Sequence, residues 1–130
     1  MLPNLIKFEK IGFSHTGYIS VAEVSKNIDF EIKRVYWTYF TPNHIERGNH
    51  AHKKLEQLIF AVNGKIDFNL EDSNGNKHKF TLDAPHIGLY IPPGYWRTIR
   101  FSHNAVLLCL ASEAYDENDY IRDYNDFLDN

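Results

Sequence analysis

Two histidines, His50 and His52, form the part of this sequence that is most suited to chemistry. Residues two apart in an extended strand project to the same face, about 6–7 Å apart along the backbone. Two imidazoles placed in this way can ligate a metal ion, or they can accept and donate protons near pH 7. The residues around them distinguish these two uses.

Composition limits the classes to which the protein can belong. The chain has 130 residues, 43% of them hydrophobic, which suits a single folded domain spanning residues 1–130. A formal net charge of −3 disfavours a nucleic-acid partner, because phosphate binding usually needs a basic excess. No apolar run reaches the ~20 residues that cross a bilayer, and polar residues interrupt the first ten. We therefore expect no signal peptide, no membrane contact and a cytoplasmic location.

The single cysteine, Cys109, lies in an apolar run at residues 105–111. It cannot form a disulfide within the chain, and a small thiol in such a run is usually a buried core residue. We expect Cys109 to be buried and unreactive.

Short runs rich in β-branched and aromatic residues alternate with turn residues along most of the chain. They predict strands at residues 18–21, 33–40, 58–62, 65–70, 77–82, 88–91, 96–101 and 106–110. Strands this short and this regularly spaced indicate an all-β sandwich or barrel. Ile66, Phe68 and Leu70 alternate with polar residues, as in a half-buried strand, and Asn74-Gly75 predicts a hairpin turn.

The C-terminal segment has a different pattern. Residues 116–129 are rich in Asp, and Tyr120, Tyr124 and Phe127 recur every three to four positions. This spacing predicts an amphipathic helix that packs on the barrel with its acidic residues in solvent.

The stretch around the two histidines resembles the first motif of the cupins, which are small jelly-roll proteins built on a double-stranded β-helix. That motif runs His-x-His, three or four residues, Glu, six residues, Gly. His50, His52 and Gly64 fit it, but Gln57 stands at the position of the acid and Glu56 lies one place away. Strand alternation puts Glu56 on the opposite face from Gln57 unless a bulge intervenes.

The second cupin motif, Pro-x-Gly followed two residues later by His, is matched by residues 92–96, and Arg97 stands at the histidine position. Metal-binding cupins use this histidine as a ligand. Arginine stays protonated in proteins, so it cannot ligate, and its charge repels a divalent cation. With Gln57 and Arg97 at two of the four ligand positions, we expect neither a metal nor another cofactor.

A closer resemblance covers nearly the whole chain. Residues 47–57 read Arg-Gly-x-His-Ala-His-Lys-x-x-x-Gln, and residues 32–36, 88–90 and 120–124 carry further matches. The chain resembles the sugar 3,4-ketoisomerases, metal-independent cupins that act on dTDP-4-keto-6-deoxy-D-glucose. The resemblance implies a jelly roll with a short C-terminal α-helix.

The resemblance also implies a biological setting. The 3-keto product would pass to a PLP-dependent 3-aminotransferase on the way to the 3-amino-3,6-dideoxyhexoses of surface glycans. Family members are homodimers, often with exchanged N-terminal strands, and residues 2–13 have the composition of such a strand. Arg or His occurs in the family at the position of Arg97, and Arg97 favours a gluco over a galacto product.

The histidine pair fits the chemistry of this reaction. A ketone moves by one carbon through an enediol, which requires a base of near-neutral pKa and a proton donor. We expect His50 to remove the C3 proton and His52 to handle the proton of C4 or of an oxygen. Further expected substrate contacts are Arg97 and Tyr36 at the enediolate, Arg47 and Arg34 at the diphosphate, Tyr18 and Trp96 at thymine or the sugar, and Gln57.

Other interpretations stay open at this point. The chain could be a deoxysugar 3,5-epimerase, a metal-dependent cupin enzyme, or a non-catalytic module that binds a nucleotide sugar. Each arginine could instead form a structural ion pair, and the aromatic residues could belong to the core.

Overall fold

Twelve strands and one short α-helix make up the computed structural model, which describes residues 1–129. The strands are β1 (Asn4–Lys7), β2 (Ile11–Phe13), β3 (Gly17–Ile19), β4 (Arg34–Tyr39), β5 (Glu46–His52), β6 (Gln57–Asn63), β7 (Ile66–Glu71), β8 (Lys77–Leu82), β9 (Ile87–Ile91), β10 (Trp96–Phe101), β11 (Val106–Ala111) and β12 (Tyr120–Ile121). A 3₁₀ turn covers Glu117–Asp119, and helix α1 covers Tyr124–Leu128. The predicted all-β class with a short C-terminal helix is confirmed.

Two antiparallel five-stranded sheets form the jelly roll. The first has the strand order β1-β9-β6-β11-β4, and the second has the order β12-β5-β10-β7-β8. Strands β2 and β3 form a separate hairpin. The main core lies between the two large sheets, because its buried side chains come from β6, β9 and β11 on one side and from β7, β8 and β10 on the other.

The strand predicted from alternation is present in β7. Ile66, Phe68 and Leu70 are at most 1% exposed, whereas the intervening side chains reach the surface. Strand β7 pairs with β8 along its whole length, and Gly75 in the connecting loop has φ +87°. The predicted turn at Asn74-Gly75 is confirmed, since glycine adopts this conformation without a Cβ clash.

Cys109 lies in β11 and is 0% exposed, as predicted. Burial raises the pKa of its thiol to about 11. The protonated thiol is a poor nucleophile, so Cys109 contributes packing to the core.

A second apolar cluster lies on the outer face of the first sheet. The N-terminal segment supplies Phe8, Ile28 and Phe30, which pack on Leu58 and Phe60. This segment does not cover β4, where the outward-facing side chains of the strand remain exposed.

Strand β1 pairs with β9 of the same chain, in register from Asn4 opposite Tyr90 to Lys7 opposite Ile87. The predicted exchange of N-terminal strands between two chains stays a prediction. The hairpin that follows projects apolar side chains into solvent: Phe13 is 68% exposed and Ile19 is 65% exposed.

The prediction of one helix over residues 116–129 was wrong in extent. Only Tyr124–Leu128 is α-helical, while Tyr120 and Ile121 form β12 and pair with β5. The free edge of β5 offers unpaired backbone groups, and pairing with them satisfies the segment better than a helical turn would. The carboxylate of Asp123 caps α1, and Phe127 is buried against the sheet.

Within residues 1–129, no helix has the length and apolar character needed to cross a bilayer.

Candidate active site

A bulge in β5 sets the direction of the two histidines. Pairing of β5 with β10 shifts by one residue at Asn49, which has no partner in β10. Gly48 and Asn49 have φ angles of +91° and +56°, which glycine and asparagine tolerate better than most residues. A bulge bends its strand and re-aims the side chains beyond it. His50 and His52 then share one face, and Ala51 packs on the other face in the small cluster beside α1.

The imidazole rings of the pair are in contact. Their centroids lie 4.9 Å apart in an edge-to-face arrangement. Nδ1 of His50 donates to the carbonyl oxygen of Gly48 over 2.9 Å, and Nδ1 of His52 lies 3.1 Å from Oδ2 of Asp119. The ring of Tyr120 packs against both, 4.4 Å from His52 and 5.2 Å from His50.

The surroundings favour the neutral form of both rings. Burial, followed by the charge of Arg97, lowers the pKa of His50 to about 4. The same two causes lower the pKa of His52, which is only 1% exposed. A neutral imidazole is the form that can accept a proton, so both rings are bases at pH 7.

Arg97 lies inside the barrel and is 1% exposed. Its guanidinium donates to Oε1 of Gln57 and, over 3.2 Å, to the carbonyl oxygen of Tyr95. Burial lowers its pKa, and no carboxylate of residues 1–129 forms an ion pair with it. The barrel therefore contains a cation that only neutral groups solvate.

Gln57 extends this hydrogen-bonded chain towards solvent. Its Nε2 donates to the hydroxyl oxygen of Tyr36 over 2.8 Å. Burial, and next the neighbouring Cys109, raises the pKa of Tyr36, so the hydroxyl keeps its proton at neutral pH. Its oxygen accepts from Gln57, and its hydroxyl also has the thiol of Cys109 within hydrogen-bonding reach, so Tyr36 ends a buried polar chain that begins at Arg97.

A cavity of about 430 Å³ opens in front of His50. This volume lies in the range of small-molecule sites. The lining residues with functional groups of interest are His50, Tyr36, Tyr120, Arg34, Arg47 and Arg122. Arg122 is paired with Glu117, and Glu46 of the lining is paired with Arg100. Within residues 1–129, Arg34 and Arg47 form no ion pair, so these two guanidinium groups supply the positive potential suited to phosphate groups.

Two of the predicted substrate contacts lie elsewhere. Tyr18 is 48% exposed in β3 and lines another cavity, beside Lys10. Trp96 lies outside the barrel, with its ring 5.2 Å from Tyr124 and 5.7 Å from Phe127. The structure brings the remaining predicted residues into one region: His50, His52, Arg34, Arg47, Tyr36, Gln57 and Arg97.

The C-terminal segment contributes three residues that sequence reasoning did not assign to the site. They are Asp119 behind His52, Tyr120 against both rings, and Arg122 in the cavity wall. Two of them lie in residues 120–124, one of the stretches that carry the family resemblance. The family resemblance of this stretch could have indicated its role. The helix predicted for residues 116–129 instead placed the polar side chains of this segment in solvent.

The four positions of the cupin metal pattern do not make a coordination sphere. Only the imidazoles of His50 and His52 can ligate readily, because Oε1 of Gln57 accepts from the Arg97 cation. Among residues 1–129, no three His, Cys, Asp or Glu side chains are gathered in a way that could hold a metal ion.

Comparison with known proteins gives consistent matches over the full length. The family model described as FdtA, WxcM-like, C-terminal, matches residues 1–130. A TDP-4-oxo-6-deoxy-α-D-glucose-3,4-oxoisomerase from Aneurinibacillus thermoaerophilus is 44% identical over 124 residues, which are 95% of this chain and 88% of the relative.

Two similar crystal structures share the fold closely. QdtA, a sugar 3,4-ketoisomerase from Thermoanaerobacterium thermosaccharolyticum in complex with TDP, superimposes with a TM-score of 0.92 and 41% identity, covering 98% of this chain and 92% of QdtA. A mutant of QdtA has also been crystallised with TDP-4-keto-6-deoxyglucose. WlaRB, a TDP-quinovose 3,4-ketoisomerase from Campylobacter jejuni, gives a TM-score of 0.91 and 41% identity over 98% of each chain.

Proposed function

Since the chain belongs to the FdtA family and is a sugar 3,4-ketoisomerase, we propose that it converts TDP-4-keto-6-deoxy-D-glucose to a TDP-3-keto-6-deoxyhexose. The observation that supports this most is the pair of neutral imidazoles: His50 lines an arginine-containing cavity, and the ring of His52 packs against it from the buried side. The lowered pKa keeps both imidazoles unprotonated at pH 7 and able to accept a proton, but it also makes each a weaker base than the near-neutral imidazole expected from the sequence.

The reaction requires two proton movements within the sugar. His50 takes the proton from C3, and the electrons of that C–H bond form the C3=C4 double bond of an enediolate with its charge on O4. A proton is then returned to C4, and the O3–H proton passes to O4, which leaves the ketone at C3. The sugar gains and loses no electrons overall, so the reaction consumes no oxidant or reductant.

The two histidines divide these movements according to their positions. His50 lines the cavity, so we assign to it the transfer from C3 to C4. His52 lies beside it and deeper, and we assign to it the transfer between O3 and O4. The ring of His50 donates from Nδ1 to a carbonyl oxygen, which leaves its Nε2 lone pair to accept a proton.

Tyr36 and Arg97 stabilise the enediolate. Tyr36 lines the cavity, and its protonated hydroxyl can donate to a charged oxygen bound there. Arg97 is buried next to the cavity and acts through its hydrogen bond to Gln57. A fixed cation in a water-poor site stabilises developing negative charge, because its surroundings need not reorganise during the reaction. This use explains why the barrel holds a buried cation without a carboxylate.

Arg34 and Arg47 bind the diphosphate. Both line the cavity, and guanidinium groups match phosphate oxygens with paired hydrogen bonds, whereas the guanidinium of Arg122 already donates to both carboxylate oxygens of Glu117. Nε of Arg34 is buried and has no hydrogen-bond partner within residues 1–129. A phosphate oxygen would satisfy it.

The direct test is incubation with TDP-4-keto-6-deoxy-D-glucose and a 3-aminotransferase, followed by NMR of the amino sugar. A 3-amino-3,6-dideoxyhexose supports the proposal. Unchanged substrate refutes it, and inversion at C5 would indicate a 3,5-epimerase instead. His50→Asn should abolish turnover yet bind TDP with nearly unchanged affinity, whereas His44→Asn, at an exposed loop position, should behave as wild type.

We further propose that the product has the gluco configuration at C4. Arg97 favours this outcome by resemblance, and WlaRB, which is 41% identical, is named for quinovose, the 6-deoxy sugar of gluco configuration. The H3–H4 coupling constant in the NMR experiment separates the two products. It is large for the gluco sugar, where both protons are axial, and small for the galacto sugar.

We also propose that the enzyme is a homodimer with exchanged N-terminal strands. Support comes from exposed apolar side chains at Phe13 and Ile19 in the β2–β3 hairpin and at Trp37 and Tyr39 on β4, which are 68%, 65%, 61% and 55% exposed. Large apolar side chains left exposed on strands in this number are typical of surfaces that another protein chain covers. In an exchanged dimer Tyr18, which precedes Ile19, could contact the substrate of the partner.

Light scattering on purified protein tests the dimer. We expect a dimeric mass for the wild type and a monomeric mass for Trp37→Glu, with Lys77→Glu on exposed β8 as the control. A monomeric wild type would contradict the proposal. We propose in addition that the whole chain acts as one cupin domain in the cytoplasm and that its product passes to a PLP-dependent 3-aminotransferase. Cell fractionation tests the proposed location.

A further inference from the structure

Asp119 connects the C-terminal segment to the histidine pair. We propose that Asp119 is a positioning residue that holds His52 with its ring proton on Nδ1, so that Nε2 is kept as a proton acceptor. This tautomer determines the direction in which His52 can move a proton. It rests on the proposed function of His52 for its catalytic consequence, but the tautomer itself can be measured without substrate.

The carboxylate of Asp119 is held firmly in place. Its Oδ1 accepts from the backbone N–H of Lys54 over 2.7 Å, and its Oδ2 accepts from the N–H of Leu55 over 3.3 Å. The backbone carbonyl of Asp119 also accepts from the N–H of Lys53 over 3.0 Å. With both oxygens engaged, the side chain cannot rotate away without losing hydrogen bonds.

This anchored carboxylate lies against a buried ring. Oδ2 of Asp119 is 3.1 Å from Nδ1 of His52. The side chain of Asp119 is 10% exposed and that of His52 is 1% exposed. An ionised carboxylate accepts hydrogen bonds and cannot donate, so the ring nitrogen facing it must carry a proton. Burial lowers the pKa of His52, so the ring has a single proton and Nε2 carries the lone pair.

His50 has the same arrangement with a different partner. Its Nδ1 donates over 2.9 Å to the carbonyl oxygen of Gly48, which can only accept. Both rings are therefore acceptors at Nε2 before the reaction starts. Neither can donate a proton until it has taken one, and this order matches a reaction in which each proton is removed and then returned within the same sugar.

A role limited to stability is the alternative for Asp119, since its carboxylate also orders the turn at residues 53–55. The two roles differ in what they predict. A structural acid affects folding and leaves the tautomer of His52 unchanged, whereas a positioning residue controls the tautomer and the catalytic step.

The first test measures the wild-type tautomer by ¹H–¹⁵N correlation NMR of the histidine rings, with His52 assigned by its absence in His52→Asn. We expect a protonated Nδ1 and an unprotonated Nε2 at pH 7. A His52 ring protonated at Nε2 overturns the proposal. This measurement needs no variant of Asp119 to fold and no enzymatic activity.

The second test uses Asp119→Asn, with Glu113→Gln as a control that removes the same charge from a half-exposed acid, whose only ion pair within residues 1–129 is with Lys33 over 3.8 Å. An amide can donate to Nδ1, which would place the ring proton on Nε2. We expect kcat to fall by about 10²–10⁴-fold, the usual contribution of general acid–base catalysis, with KM nearly unchanged. Glu113→Gln should retain wild-type kcat.

A double variant completes the test. If Asp119 acts through His52, adding Asp119→Asn to His52→Asn should lower kcat little further, because the ring that Asp119 orients is already absent. Independent, multiplicative losses would overturn the proposal, and so would a folded Asp119→Asn with wild-type kcat. Failure of the proposed function would show separately, as absence of turnover in a wild type whose His52 has the expected tautomer.

Discussion

Activity should persist into acid solution, because the pKa of His50 is about 4 instead of the ordinary 6.5. At pH 5 a base of pKa 4 is about 90% neutral, whereas an ordinary imidazole is about 3% neutral. The pKa of His52 is lowered as well, so it should not limit the reaction above that pH. We expect kcat/KM to be flat from neutral pH to about pH 5 and to fall about tenfold per pH unit only below about pH 4.

The same difference in pKa links stability to pH. The unfolded chain, with a histidine pKa near 6.5, binds more protons than the folded chain, in which the pKa of His50 is about 4. The contribution of His50 to the free energy of unfolding should therefore be complete above about pH 6.5. It should decrease as the pH falls from about 6.5 towards the folded-state pKa of about 4. The gap between the two pKa values corresponds to about 3 kcal/mol for His50.

The assay combines initial rates at each pH with urea unfolding at the same pH, so that loss of folded protein is not mistaken for protonation of the base. In His50→Asn, the change in unfolding free energy between pH 7 and pH 4 should be smaller than in wild type. If kcat/KM falls between pH 7 and pH 6 while the protein stays folded, His50 is not a base of lowered pKa. An unfolding free energy of His50→Asn that depends on pH as in wild type would likewise exclude a lowered pKa for His50.

Two substitutions in the site, together with one control outside it, test how the site is built. Gly48→Ala should cost about 2–4 kcal/mol of unfolding free energy and lower kcat, because a Cβ there lies 2.8 Å from the carbonyl oxygen of Arg97 at a φ of +91°. At Gly75, which has φ +87°, an added Cβ would have no atom within 4 Å. Gly75→Ala should therefore show only the backbone cost of about 1–2 kcal/mol. Equal losses of unfolding free energy in the two variants would show that the contact with Arg97 costs nothing. Arg97→Met should leave the unfolding free energy unchanged or raise it by about 1–2 kcal/mol, since it removes a buried cation without a carboxylate, while kcat falls at least about 10²-fold. Strong destabilisation with full activity would refute that assignment.

Local sequence patterns predicted much of the sheet structure. Alternation in residues 66–70 and the Asn74-Gly75 turn gave a strand and its hairpin, because both depend on neighbours within a few residues. The His-x-His spacing placed two imidazoles on one face for the same reason. The replacement of two metal-ligand positions by Gln57 and Arg97 was also visible in the residue types alone.

The C-terminal segment could not be predicted in the same way. A repeat of three to four residues suits a helix, but Tyr120 and Ile121 pair with β5 because the fold leaves the edge of that strand free. The availability of an edge depends on how distant strands assemble, so no local pattern reveals it. Asp119 reaches His52 for that reason, across 67 positions of sequence.

The sequence by itself determined which chemical groups are present and that His50 and His52 share a face of their strand. It also identified the family that the chain resembles. The tertiary structure decided the protonation of these groups. Burial and the charge of Arg97 lower the pKa of both histidines, and their partners place the ring protons on Nδ1. Such properties depend on the distance and exposure of charged atoms, which exist only once distant segments have come together.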